Sequence, residues 1–386
     1  MPPSEPDRLA HRSRQARVAA WLAAEGLFAC VVDDFERSRS LDLRWLSGQP
    51  SDAILVVFAT GRTVLVPWDV NLAAERAVVD QVVPYTDFKR SFREAVAGVL
   101  KQNGLGSGGA ERRVEFSSRI SFLRHNELVA DMPAAAVVTR NDGCDAFLAR
   151  ARGIKDAAEI AALERASQIT NALIEAIETM LRSPRAEDLR ELDLAQLIER
   201  EALSLGAEGL GFETLAAGPS RSWAIHPFPA CSRAPFGGPG LSILDFGIRV
   251  DGYTSDVTLT VARGRLSPGQ ERMVGLVEKA YAAAVAAVRA GASPREPAIR
   301  ADEVFAAAGL RMPHALGHGI GLEAHEGPLL RSQGENPDAE LLPGMVFTIE
   351  PGLYDPALGG VRWENDVLMT ADGPRVLTGA RLLRLA

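Results

Sequence analysis

Residues 8–25 carry a helical pattern, with Leu9, Ala16, Ala19 and Leu22 on one face. A short apolar run follows at 28–32, then AILVVF at 53–58 and TVLVP at 63–67, separated by Thr60-Gly61-Arg62. Two β-rich runs across a glycine-containing turn predict a hairpin. Helices are expected over 73–79 and 92–102, the second closed by Gly104. A glycine/serine loop at 106–109, a further helical stretch and a strand over AAVVT at 135–139 complete this part.

The character changes near 148–156. The stretch 157–181 is alanine-rich, has no Gly or Pro, and keeps Ile160, Leu163, Ala166, Ile169 and Leu173 on one helix face. A second helix is expected over 188–205. From Gly209 onward Gly and Pro become dense, and strands are expected at 241–247, 256–262, 345–352 and 361–370, with helices at 268–290 and 298–308 between them. The expected organisation is two mixed α/β domains, 1–150 and 151–386. No repeat of about 20–50 residues suggests a solenoid or propeller.

Composition agrees with two globular domains: 47% hydrophobic and 24% charged residues in a chain of 386. With 42 Lys+Arg against 50 Asp+Glu, the net charge of −8 argues against nucleic acid as a partner. Cys30, Cys144 and Cys231 are odd in number and widely spaced, so they read as inert thiols and not as a disulfide framework or metal ligands. The Arg-rich N-terminus resembles a transit peptide superficially, but it lacks the apolar core of a secretory signal and reads more simply as a surface helix. No apolar run approaches the roughly 20 residues of a membrane span. The expected location is cytoplasmic.

Chemistry concentrates in the second half. Four of the six histidines lie there: His226, His314, His318 and His325. Asp245 ends the apolar run LSIL, Asp256 precedes VTLTV, Glu350 ends MVFTI, and Glu364 sits in GGVRWENDVLM. A carboxylate at the end of an apolar strand is costly to bury alone. Arg362 is one cation against four carboxylates. A strand-end aspartate by itself is ordinarily a cap or turn residue, and a histidine in a glycine-rich loop a packing residue. Together, four such carboxylates and the loop HALGHGIG point to a metal site. Two divalent ions would balance the four carboxylates, with His318 adding an imidazole. An oxygen-rich set with one nitrogen suits Mn²⁺ or Co²⁺, with Zn²⁺ or Fe²⁺ as alternatives.

These blocks carry a family resemblance. LDFGIRVDGYTSDVTLT (244–260), HALGHGIGLEAHEGP (314–328), LLPGMVFTIEPGLY (341–354) and GGVRWENDV (359–367) stand in the order found in the pita-bread metallopeptidases, namely methionine aminopeptidase, Xaa-Pro aminopeptidase and prolidase. The resemblance begins at about Gly153-Ile154-Lys155 and runs to the C-terminus. The first half, through SLDLRWLSGQPSDAILVV (40–57), resembles the creatinase/prolidase-type N-terminal domain, which ordinary methionine aminopeptidases lack. The resemblance implies an α/β pita-bread catalytic domain preceded by that smaller α/β domain.

By position, the resemblance implies Asp245, Asp256, His318, Glu350 and Glu364 as metal ligands, with Asp256 and Glu364 bridging two ions. It implies that Glu350 shuttles a proton, that His226 lies near the leaving group, that His325 contacts substrate and that His314 lines the pocket. Arg362 matches an arginine that orients the acidic shell. Two positions depart from the family: Leu259 where Arg is frequent, and Asn365 after Glu364 where Asp is frequent. The implied activity is hydrolysis of the bond between an N-terminal residue and proline, as a dipeptidase, with an aminopeptidase acting on longer peptides as the alternative. Creatinase and non-catalytic relatives keep the fold without the full ligand set, so five intact positions argue against a creatinase-like C–N hydrolase and a binding protein. A homodimer is also implied.

Overall fold

In the computed structural model, which describes residues 2–36, 39–107, 111–334 and 340–385, the apolar runs of the first third pair into one six-stranded sheet. Its order is Gln81–Val82, Thr63–Pro67, Ala53–Phe58, Ala29–Asp34, Arg112–Phe116, Ala135–Val138. The expected hairpin is there, antiparallel, with Leu55 opposite Leu65. The outer pairs are parallel. Ala53–Phe58 is buried at every residue, as an unbroken apolar run in the middle of a covered sheet should be. This sheet lies in a compact unit spanning Met1–Ala151, and a second unit spans Arg152–Ala386.

The first helix runs Glu5–Ala24, capped by a Ser4/Asp7 capping box. Its buried face is Arg14, Gln15, Val18, Ala19 and Leu22. Leu9 and Ala16, expected on that face, are exposed instead. The reason is polar: Gln15 Nε2 donates to the carbonyls of Leu46 (2.9 Å) and Val78 (2.6 Å), so an amide occupies core space that hydrophobic periodicity cannot see. The helix expected over 73–79 is Val70–Arg76, begun by Asp69, whose carboxylate caps the Asn71 and Leu72 amides. Phe92–Gln102 is helical as expected. A helix not anticipated at Leu41–Ser47 ends on Gly48 at φ 75°, and another runs Cys144–Gly153. The loop expected at 106–109 lies partly outside the described residues. Two of the widely spaced cysteines meet: the Cys144 thiol is pushed well up by its contact with Cys30 and by burial.

In the second unit, a four-stranded sheet has the order Leu382–Leu385, Val257–Arg263, Gly240–Phe246, Leu215–Ala217. A five-stranded sheet has the order Glu326–Leu330, Gly317–Gly319, Val346–Ile349, Asn365–Thr370, Gly373–Val376. The helices Ala157–Leu181 and Glu191–Ser204 pack their apolar stripes on the first sheet through Leu173, Ile177, Leu194 and Ile198. Pro268–Ala287 and Arg295–Ala307 pack on the second through Val274, Val277, Ala301 and Phe305. An isolated bridge pairs Thr258, on the strand Val257–Arg263, with Glu364, just before the strand Asn365–Thr370.

Two expected strands are each divided. The run 345–352 is Val346–Ile349, then Glu350-Pro351, then Gly352–Asp355 in a separate two-stranded ribbon with Gly359–Arg362. Pro351 has no N–H to continue a ladder. The run 361–370 breaks at Trp363-Glu364, because the Glu364 amide leaves its neighbours and donates to the Thr258 carbonyl at 3.2 Å. Both breaks turn an acidic side chain away from a regular sheet face.

Candidate metal centre

The residues singled out in the second half converge between the two sheets. Strand Gly240–Phe246 carries Asp245 next to its end, and antiparallel pairing sets it opposite Thr258. Asp256 stands just before Val257–Arg263, with its amide donating to Asp366 Oδ2 at 3.1 Å. His318 is the middle residue of Gly317–Gly319. The glycines on either side are required by close approach: a Cβ at Gly317 would overlap the Thr348 carbonyl, and one at Gly319 the Gly327 carbonyl. Glu350 follows Val346–Ile349, its amide bonded to the Leu316 carbonyl at 2.8 Å.

Ligand atoms of Asp256, His318 and Glu364 lie within 4.8 Å of one another. His318 Nε2 is 3.4 Å from Glu350 Oε1 and 3.8 Å from Asp256 Oδ2. Its Nδ1 lies 3.1 Å from the Gly319 carbonyl, which accepts only from Nδ1–H, so Nε2 presents a lone pair to the carboxylates. Burial pushes the His318 pKa down to about 4, keeping the ring neutral. His325 lies against it, ring centroids 4.1 Å apart and planes tilted by 35°.

Arg362 organises the other side. Its Nη2 donates to Asp245 Oδ2 at 2.6 Å and its Nε to Thr258 Oγ1 at 2.9 Å. Thr258 Oγ1 in turn donates to Glu364 Oε2 at 2.6 Å. One buried guanidinium therefore orients two carboxylates, one directly and one through a hydroxyl. Its Nη1 reaches the Ile225 carbonyl at 3.2 Å and Tyr354 Oη at 2.9 Å.

Tyr354 was not singled out from the sequence, and it settles the state of His314. His314 Nδ1 faces the Ala315 carbonyl at 2.8 Å, and Nε2 faces Tyr354 Oη at 3.1 Å. A carbonyl can only accept, so Nδ1 carries the proton and Nε2 accepts from the phenol. The phenol oxygen accepts from Arg362. Burial holds the His314 pKa down to about 4 and pushes the Tyr354 pKa up to about 12. His226 is exposed, and its pKa is lowered by burial of part of the ring and by Arg362. His325 is also exposed at the surface of the site, while its neighbour Glu326 is anchored to buried Lys155 at 3.2 Å.

The electrostatics are those of an uncompensated acidic cluster. Burial raises Asp256 and Glu350 well above the usual carboxylate range, and Glu364 raises both further. Burial and Asp245 push Glu364 up to about 7. Asp366, overlooked in the charge count from sequence, is buried beside Asp256 and raised well above its ordinary value by burial. Asp245 Oδ1 and Asp366 Oδ1 are buried with no hydrogen-bond partner among the described residues. Orphaned carboxylate oxygens, an imidazole lone pair and one guanidinium among these acids fit divalent cations as the missing countercharge.

The two departures from the family face away from this cluster. Leu259 lies between Thr258 and Thr260, so strand alternation turns it into the apolar core, where it is fully buried. Asn365 lies between Glu364 and Asp366. Its Nδ2 donates to Tyr281 Oη (3.1 Å) and the Ala380 carbonyl (3.0 Å), and its Oδ1 accepts from the Ala380 amide (2.7 Å). Both tune packing behind the site and touch none of the proposed ligands.

Residues 161–371 match the model of metallopeptidase family M24, and residues 14–154 match the creatinase/prolidase N-terminal domain. The chain belongs to metallopeptidase family M24. It is a metallopeptidase with the pita-bread fold and a creatinase-type N-terminal domain, and enzymes of this family work with divalent metal ions. An Xaa-Pro dipeptidase of Pyrococcus furiosus is 35% identical over 333 residues, covering 84% of this chain and 86% of that one. The putative dipeptidase YkvY of Bacillus subtilis is 29% identical over 375 residues, covering 95% of this chain and 97% of that one. The crystal structure of a dipeptidase from Pyrococcus horikoshii superposes with a TM-score of 0.81 at 28% identity, covering 97% of this chain and 100% of that one. No helix among the described residues is long and apolar enough to cross a membrane.

Proposed function

We propose that this M24 enzyme is an Xaa-Pro dipeptidase, hydrolysing the bond between an N-terminal residue and a following proline. The observation that carries the reading is the meeting of Asp256, His318 and Glu364 within 4.8 Å, with Asp245 and Glu350 around them. The relatives named as Xaa-Pro dipeptidases support the substrate class.

Asp245, Asp256, His318, Glu350 and Glu364 would hold two divalent ions, Asp256 and Glu364 shared between both, Asp245 on one, and His318 with Glu350 on the other. When bound, such a pair acidifies water and polarises the scissile carbonyl. The chain's own residues do the rest. Glu350, ionised when it holds an ion, takes the proton of the attacking water and returns it to the proline nitrogen. His325, packed at a tilt beside His318, donates to the oxygen on which charge develops. His226 faces the leaving group. His314 lines the pocket with its Nδ1–H donating to the Ala315 carbonyl and its Nε2 accepting from Tyr354 Oη. Arg362 favours the ionised forms of Asp245 and Glu364 against burial and aims both carboxylates. Proline in the substrate has no N–H to donate and a fixed φ, which a pocket of this kind can select.

The reading includes Mn²⁺ or Co²⁺ as the working ions, a homodimer and a cytoplasmic location. A panel of an Xaa-Pro dipeptide, an Xaa-Pro-Yaa tripeptide, Met-Ala-Ser and creatine, each with added Mn²⁺ or Co²⁺, tests it. Turnover of the dipeptide above all others is expected. Preference for the tripeptide would make the enzyme an Xaa-Pro aminopeptidase, and turnover of creatine alone would overturn the peptidase reading.

A further inference from the structure

We infer that Glu191, a residue outside the metal centre, is the positioning residue for the loop that carries His226. The inference rests on the role proposed above for His226, but the clamp itself is a separate structural observation.

Glu191 opens the helix Glu191–Ser204 and is completely buried. A carboxylate at a helix N-terminus is ordinary, and on the surface it would be worth little. A fully buried one needs donors for both oxygens. All of them come from one excursion of the chain between the strands Leu215–Ala217 and Gly240–Phe246. At its start, the Gly218 amide donates to Glu191 Oε1 at 2.9 Å. At its end, Ser232 Oγ donates to Glu191 Oε2 at 2.6 Å. From within, Arg221 Nη1 donates to Oε2, and its Nη2 spans the loop to the Pro229 carbonyl.

The guanidinium thus ties position 221 to position 229, and His226 lies on the segment between them. The planar fork presents two nitrogens in fixed directions, so one side chain spans from the carboxylate to the carbonyl, a reach a single ammonium nitrogen lacks. The backbone adds to the same anchor, because the Glu191 and Leu192 amides donate to the Ala234 and Ser232 carbonyls, both at 3.0 Å. At the other side of the loop, Arg362 holds the Ile225 carbonyl, one residue before His226. His226 itself is exposed, and no hydrogen bond of its ring is among those described. Its place over the site is therefore set by backbone tethers: Arg362 from the metal centre and Glu191 with Arg221 from behind. Trp223 and Phe228, exposed on the same segment, are carried by the same clamp.

The test uses the metal-loaded full chain and four variants: E191Q, R221M, H226A and the E191Q/H226A double. Glutamine keeps the shape and one acceptor oxygen but loses the charge that holds Arg221. E191Q and R221M should each lower kcat/KM by roughly 10- to 100-fold, the size expected when a positioned group shifts slightly. Metal content should stay at the wild-type value. In the H226A background E191Q should cost almost nothing more, because the group it positions is gone. Amide exchange of residues 218–232 should speed up in E191Q and R221M, with the segments bearing Asp245 and Glu364 unchanged. An E191Q penalty of the same factor with and without His226 would overturn the inference, as would unaltered exchange of the loop. Full activity of H226A would instead sink the role proposed for His226, and the exchange measurement would still decide whether Glu191 holds the loop.

Discussion

Arg362 Nη2 donates to Asp245 Oδ2 at 2.6 Å, and the other oxygen of that carboxylate has no hydrogen-bond partner among the described residues. The same guanidinium reaches Glu364 through the Thr258 hydroxyl. A single cation thus serves two carboxylates and leaves acceptor capacity open between the sheets, which is where a second source of positive charge has to come from.

Metal loading follows directly. Reconstituted protein is expected to bind about two divalent ions per chain, as dinuclear hydrolytic sites do, and to lose activity with a chelator. Elemental analysis checks it. Asp256→Ala and Glu364→Ala should each empty both sites, whereas Asp245→Ala should empty mainly one. A bridging variant that keeps both ions and normal turnover would refute the ligand assignment.

Stability of the metal-free enzyme should depend on pH with an unusual sign. The Glu364 carboxyl is pushed up to about 7 from an ordinary 4.5, and Asp256 and Glu350 are shifted the same way. Where the folded state holds protons that the unfolded chain has released, stability falls as pH rises. Below pH 6.5 the depressed His314 and His318 oppose this, because there the unfolded state takes up the extra protons. Between pH 7 and about 8 the histidines are mostly neutral in both states and the carboxylates dominate. The melting temperature of metal-free protein should therefore drop across that window, and saturating Mn²⁺ should remove the drop. A rise in the metal-free melting temperature over the same range would contradict the raised carboxylates.

Activity should show the same competition from the other side. Ions must displace protons from the cluster to bind, so apparent metal affinity falls with pH. The acidic limb of the rate profile is expected to move to lower pH as metal concentration rises. A limb indifferent to metal would assign it to a substrate-contacting group such as His325.

Replacing His226 or His325 with Ala should lower turnover by roughly 10²–10⁴-fold, the range for a group that moves a proton or stabilises charge in the transition state. Metal content should be unchanged. Loss of metal from either variant would make it a ligand.

Leu259 offers a control away from the chemistry. Its side chain is fully buried in the core although its neighbours Thr258 and Thr260 face the site. Leu259→Ala should cost about 2–5 kcal/mol of stability, as buried leucine truncations do, with metal content intact. Chemical denaturation together with elemental analysis reads both.

Much of this enzyme was legible along the chain. The helices at 92–102 and 157–181 and the hairpin of 53–58 with 63–67 follow from apolar spacing, because one face of each must be buried and the period of that face is local information. The acidic positions stood out because a carboxylate beside an apolar strand is anomalous, and the ordered blocks around them carried the family. Local pattern could not show what faces what. Thr258 and Glu364 are 106 residues apart, Arg362 and Asp245 117, and each pair meets only when distant strands and turns come together in the fold. The strand break at Trp363-Glu364 also depends on a partner, since an amide leaves its ladder only when a carbonyl elsewhere accepts it. Asp366 and Asn365 are neighbours in sequence, yet alternation sends one to the metal centre and the other to the C-terminal segment. Residue types and their order thus determined the family and the chemistry available. Tertiary structure decided which lone pairs are left over, because burial and long-range hydrogen bonds, not composition, set the state of each charged group.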